Sequence, residues 1–127
     1  MCKDRIELSI PTKKEYVKIA RLTASSAASS LGFDIEELED IKVAVGEAIN
    51  IAFKFDDKEF NEINMIFELF ENTFSVNVIY PGCMEKEIED KSENDLSFLI
   101  LKSLMDEVKV FCEENSAKLV MLKRLDV

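Results

Sequence analysis

The segment Asp40 to Phe53, DIKVAVGEAINIAF, constrains the fold more than any other part of the chain. Ile41, Ala44, Val45, Ala48, Ile49 and Ala52 recur at three- and four-residue spacings, which on a 3.6-residue helix gives one apolar stripe facing a core. Asp40, Val43, Glu47, Asn50, Ile51 and Lys54 form the neighbouring flank. That flank sets a carboxylate, Glu47, mid-helix at the edge of the stripe. On spacing alone such a Glu is a solvated surface residue.

Flanking signals define the elements around this helix. Arg5 to Ile10 alternates polar and apolar residues, as a short strand does, and Pro11 stops it. Thr12 with Glu15 has the Thr-x-x-Glu form of a capping box and opens a first helix that runs to Leu31, with Gly32 suited to the left-handed position beyond its end. The Ala and Ser run from Ala24 to Ser30 permits close approach of a neighbouring element. Asp34 with Glu37 caps the second helix, and the carboxylates of its first turns favour the positive end of its dipole.

Residues 55–61 read as a polar connection. Glu62 to Glu71 and Thr73 to Tyr80 read as two strands of a hairpin, with Ile63, Met65, Phe67 and Leu69 on one face of the first and Phe74, Val76, Val78 and Tyr80 on one face of the second. Ile66, Phe70 and Ile79 leave neither opposite face wholly polar. Residues 81–93 read as a charged loop. Helical spacing returns over 94–105 through Leu96, Leu99, Ile100 and Leu104, and residues 107–113 and 116–127 close the chain as two strands. The order is strand, two helices, two strands, helix, two strands. It implies an α+β fold, a two-layer sandwich with helices on one face of a mostly antiparallel sheet, and one domain over residues 1–127.

Composition narrows the function. With 26 acidic and 16 basic side chains and a formal charge of -10, the chain repels the phosphates of nucleic acids and anionic lipid, so neither is expected as a partner. Three cysteines, Cys2, Cys83 and Cys112, without any histidine, give neither a disulfide framework nor a typical zinc site. The opening Met-Cys-Lys-Asp is no signal peptide, and no apolar run approaches the roughly 20 residues of a bilayer span. A cytoplasmic location is the expectation. Gly32, Gly46 and Gly82 are the only glycines, too few and too scattered for a Walker loop or a dinucleotide fingerprint.

Taken together, EYVKIARLTASSAASSLGFDIEELED and the helix that follows it resemble the anti-sigma factor serine kinases of bacterial partner-switching systems, members of the GHKL histidine kinase-like ATPase superfamily. LMDEV at Leu104 to Val108 is similar as well. The resemblance implies that the second helix carries a Glu-x-x-x-Asn box, whose Glu handles proton transfer and whose Asn ligates magnesium beside ATP. Glu47 matches the Glu, but Ile51 stands at the Asn position, with Asn50 one residue early.

The other nucleotide boxes depart from the family pattern too. Where the resemblance implies an Asp that accepts from the adenine amino group, VIYPGC has Tyr80, and only Gly82 of that box remains. Losing a charge-assisted hydrogen bond of about 1.5–3 kcal/mol costs one to two decades of affinity. Asn94, Asp95 and Ser97 occupy the positions of a glycine-rich phosphate turn, and the loop from Cys83 to Glu93 is shorter than the family's ATP lid.

Two readings follow from the resemblance. In the first, the chain binds a sigma factor or an anti-sigma antagonist with no cofactor, Glu47 is a vestigial general base, Asn50 and Gly82 are remnants of the ATP boxes, no metal is held, and Arg21 on the first helix contacts the partner. In the second, an active serine protein kinase uses ATP and magnesium through Glu47 and Asn50 to phosphorylate the antagonist. The resemblance also suggests a homodimer.

Overall fold

The computed structural model describes residues 2–54, 62–81, 96–113 and 116–125. Strand β1 is Asp4–Pro11; helix α1 is Val17–Ser29; α2 is Ile35–Lys54; β2 is Glu62–Leu69; β3 is Thr73–Pro81; α3 is Leu96–Leu104; β4 is Glu107–Glu113; and β5 is Ser116–Arg124. The strands form one sheet in the order β1-β2-β3-β5-β4, every pairing antiparallel. The α+β sandwich expected from the order of elements is the fold found.

The core fills the layer between helices and sheet. The α2 stripe of Ile41, Ala44, Val45, Ala48, Ile49 and Ala52 is wholly inaccessible, and it meets Ile63, Met65, Phe67, Val76, Val78, Leu119 and Met121 from the sheet. Burying each of the larger of these side chains stabilises the fold by roughly 1.5–3 kcal/mol. Phe67 and Phe74 stack on the same layer with ring centroids 6.1 Å apart, an arrangement that adds about 0.5–1.5 kcal/mol to their burial. Ala20, Ala24, Ala27 and Ala28 line the buried side of α1, so the small-residue run serves close packing, as its composition suggests.

The two capping boxes fare differently. At α2, Glu37 donates its backbone N–H to Asp34 Oδ1 at 2.8 Å, and Asp34 donates its own to Glu37 Oε1 at 3.1 Å. Gly32 takes φ of +102° just beyond α1, a conformation that side chains rarely adopt. At Thr12 and Glu15 no reciprocal box forms. The chain enters α1 through a 3-10 turn at Lys14–Tyr16 that has no side-chain cap, and Thr12 Oγ1 is buried without a hydrogen bond. Pro11 is still paired with Glu62 in the sheet, Lys13 donates its backbone N–H to the Pro11 carbonyl at 2.7 Å, and Lys13 itself is extended, so the helix begins only after that turn.

Two further expectations are corrected. In α3 the buried residues are Ser97, Phe98 and Leu101, while Leu96 and Leu99 are 69% and 53% exposed. The segment LSFLILKSL is apolar nearly all round, so periodicity alone could not set its phase. On α2, the flank supposed to run together from Asp40 to Lys54 divides. Ile51 is fully buried, Glu47 is half-buried, and Val43 and Asn50 face solvent. The connection 55–61 lies outside the described residues, as does the loop read over 81–93 except for Pro81, which ends β3.

Candidate functional site

Helices α1 and α2 lie side by side, and Val17, Arg21, Val43, Gly46, Glu47 and Asn50 line a groove between them. The structure thus brings together three of the residues singled out from sequence, Arg21, Glu47 and Asn50. Gly82, the fourth, lies outside the described residues, as do Asn94 and Asp95. The capping box at Asp34 fixes where α2 begins and hence the phase in which Glu47 and Asn50 emerge.

Gly46 shapes the groove. A Cβ on Gly46 would stand 3.5 Å from Cδ and 3.9 Å from Nε of Arg21, so the arginine stem lies across α2 at the one place where that helix has no side chain. The Nε is buried without a hydrogen-bond partner. Arg21 and Glu47 share the groove, yet no ion pair joins them among the described residues. A buried donor without a partner carries a desolvation cost within the chain.

Sequence reasoning missed Val17, Val43 and Gly46. The first two carry no signal beyond being apolar. Gly46 does carry one, because a glycine in a helix interior costs about 1 kcal/mol relative to alanine and calls for a packing reason. The Arg21 stem packs over it at ordinary van der Waals distance, which leaves room for a methyl group but for little more.

Helical geometry decides what Asn50 can replace. At roughly 100° per residue, position 51 lies about 40° from position 47 around the helix axis, and position 50 about 60° away on the other side. The direction in which a Glu-x-x-x-Asn pair would converge is therefore filled by Ile51, which is inaccessible. Asn50 turns toward solvent and α1. Magnesium requires oxygen ligands in near-octahedral array, and the hydrocarbon of Ile51 offers none. Among the described residues no cluster of carboxylate, thiol or imidazole groups suited to a metal occurs. Tyr80, at the place of the adenine-binding Asp, is 1% exposed within the core. These residues do not fit a magnesium–nucleotide site of the kind that the family motif describes.

A family model for the histidine kinase-like ATPase domain matches residues 10–123. The chain is similar to a serine-protein kinase RsbW of Oceanobacillus iheyensis, 35% identical over 84% of this chain and 78% of that protein. It is also similar to a serine-protein kinase RsbW of Bacillus thuringiensis, 31% identical over 92% of this chain and 83% of that one. Among solved structures, the RsbU and RsbW domains of a Mycobacterium tuberculosis protein superpose with a TM-score of 0.74 at 13% identity, covering 97% of this chain and 33% of that one. That last likeness concerns the fold.

Proposed function

The chain belongs to the histidine kinase-like ATPase domain family, and from that membership we propose that it acts as an anti-sigma-type regulatory protein. It binds a sigma factor or an anti-sigma antagonist through the α1–α2 groove, with Arg21 as the charged contact, and transfers no phosphoryl group. The observation that carries this reading is Ile51, wholly buried four residues after Glu47. A general base without a held phosphate has nothing to act on.

The groove suits recognition of a protein segment. Val17 and exposed Val43, the latter 41% accessible, line the groove with Arg21, a combination of apolar contact and one charged anchor common at interfaces. Pairing of two copies belongs to the same reading, as does action in the cytoplasm on the whole of residues 1–127 as one domain. No helix among the described residues is long and apolar enough to cross a membrane.

Calorimetry with ATP and magnesium, run beside capture of a sigma factor or antagonist, tests the reading. It expects capture without nucleotide heat; tight, magnesium-dependent ATP binding would overturn it. Two observations favour a second reading, an active serine kinase: the relatives named above are serine-protein kinases, and Glu47 and Asn50 share one groove. Radiolabel transfer from ATP to the antagonist, abolished by Glu47→Gln, would establish that alternative.

A further inference from the structure

Arg21 and Glu47 carry opposite charges, line one groove of about 210 Å³ and are each half-buried. Neither makes an ion pair or a side-chain hydrogen bond with any described residue. Elsewhere on α2 the carboxylates do find cations: Glu39 takes Lys42 at 2.6 Å, and Asp40 lies 3.9 Å from Lys123. The groove thus holds the two halves of an ion pair, unjoined.

Local packing keeps them apart. The Arg21 stem lies over Gly46, its Cδ 3.5 Å from where a Cβ would stand and its Nε shielded from solvent, so the side chain is held in place as far as Nε. Glu47, the next residue along, leaves the helix roughly 100° further round the axis. Val43, Glu47 and Asn50 form a row on α2 with one turn between neighbours, facing the pair Val17 and Arg21 on α1.

We propose that Glu47 is a second charged anchor for the partner, and that the segment seated in the groove is bipolar. The occupant is an amphipathic helix that brings a carboxylate for Arg21, an ammonium or guanidinium for Glu47, and an apolar side chain for the space between them. The inference rests on the groove being the docking site of the functional reading, and it gives Glu47 a part in recognition where the resemblance gives it only proton transfer.

Desolvation requires the second anchor. A partner that covers the groove takes water from both half-buried charges, and a charge removed from water without a counter-charge is strongly destabilising. A purely acidic segment would satisfy Arg21 and set like charge against Glu47; a purely basic one would do the reverse, and an apolar one would strand both. Only a segment of both signs satisfies each, and the penalty on the others is what makes the groove selective. Val17, Val43 and the bare backbone of Gly46 receive the apolar side chain. Residues three or four apart on a helix lie about 5–6 Å from each other, so the acidic and basic residues fall within one turn of the apolar one.

A display library of helical peptides, randomised along one face and selected against the full chain, tests the proposal. The wild type should enrich peptides with an acidic and a basic residue within one turn of an apolar one. Selection against Glu47→Gln, with far-UV circular dichroism confirming its fold, should keep the acidic and apolar preferences and lose the basic one. For a synthesised winner, Glu47→Gln and replacement of the peptide's basic residue by Gln should each weaken binding roughly tenfold, and the two together little more than either alone. A library that yields no binder, enrichment of acidic peptides alone, an unchanged basic preference with Glu47→Gln, or additive losses in the cycle would each overturn the proposal. A sigma factor or antagonist whose affinity Glu47→Gln leaves unmoved refutes only the second anchor. Bipolar peptides that behave as described, with no sigma factor or antagonist captured, refute only the functional reading.

Discussion

Arg21 crosses from α1 to α2 with its Cδ 3.5 Å from the point where a Cβ on Gly46 would stand. That spacing is ordinary van der Waals contact, so Gly46→Ala fits without displacing the arginine. Alanine in a helix interior is more stable than glycine by about 0.5–1 kcal/mol. The expected outcome is a melting temperature raised by roughly 2–5 °C with partner binding unchanged. Gly46→Leu would instead push Arg21 off the helix and weaken binding, which a titration of partner against both variants would show.

Arg21 itself should matter to binding and little to stability. Its buried Nε has no partner within the chain, so removing it forfeits no internal hydrogen bond. Arg21→Ala should leave the denaturation midpoint within about 0.5 kcal/mol of the wild type and weaken partner binding by about 1.5–3 kcal/mol, tenfold to a hundredfold. Arg21→Lys should recover only part of the loss, because an ammonium cannot present two donors in a plane. Equal binding by all three chains would remove Arg21 from the interface.

Two positions with the same sequence form should respond oppositely to loss of their polar atoms. Asp34 accepts the Glu37 N–H at 2.8 Å, so Asp34→Ala should cost about 1 kcal/mol. Thr12 Oγ1 is buried and makes no hydrogen bond, so Thr12→Val should be neutral or stabilise by up to about 1 kcal/mol. Urea denaturation of the pair checks both signs.

The contrast between Thr12 and Asp34 also shows where sequence reasoning reaches. The α2 stripe, the strand faces from Ile63 to Leu69 and Phe74 to Tyr80, and the Gly32 turn were all legible, because periodicity and one special backbone angle report directly on packing. The phase of α3 was not, since apolar residues occur on most of its sides and the structure buries Ser97 while Leu96 and Leu99 lie outside. The α1 cap was not, because a local motif cannot register that Pro11 still belongs to the sheet. At the site, Glu47, Asn50 and Arg21 could be named from sequence, but their sharing one groove depends on how the two helices lie against each other.

Ile51 is the sharpest point of test for the proposal that no nucleotide is held. Restoring the family's asparagine by Ile51→Asn places an amide where the side chain is fully inaccessible, and burial without satisfied hydrogen bonds costs about 1–3 kcal/mol beyond the lost apolar contact. The variant should therefore melt well below both the wild type and Ile51→Val, whose cost is about 0.5–1.5 kcal/mol. On the proposed reading it should also fail to bind magnesium–ATP in calorimetry, because Tyr80, at the position where the resemblance implies an adenine-binding Asp, lies within the core. If Ile51→Asn instead gained tight nucleotide binding at little cost in stability, the pocket would be intact but for one ligand. The chain would then be a kinase disabled at a single residue, with the rest of its phosphate site in place.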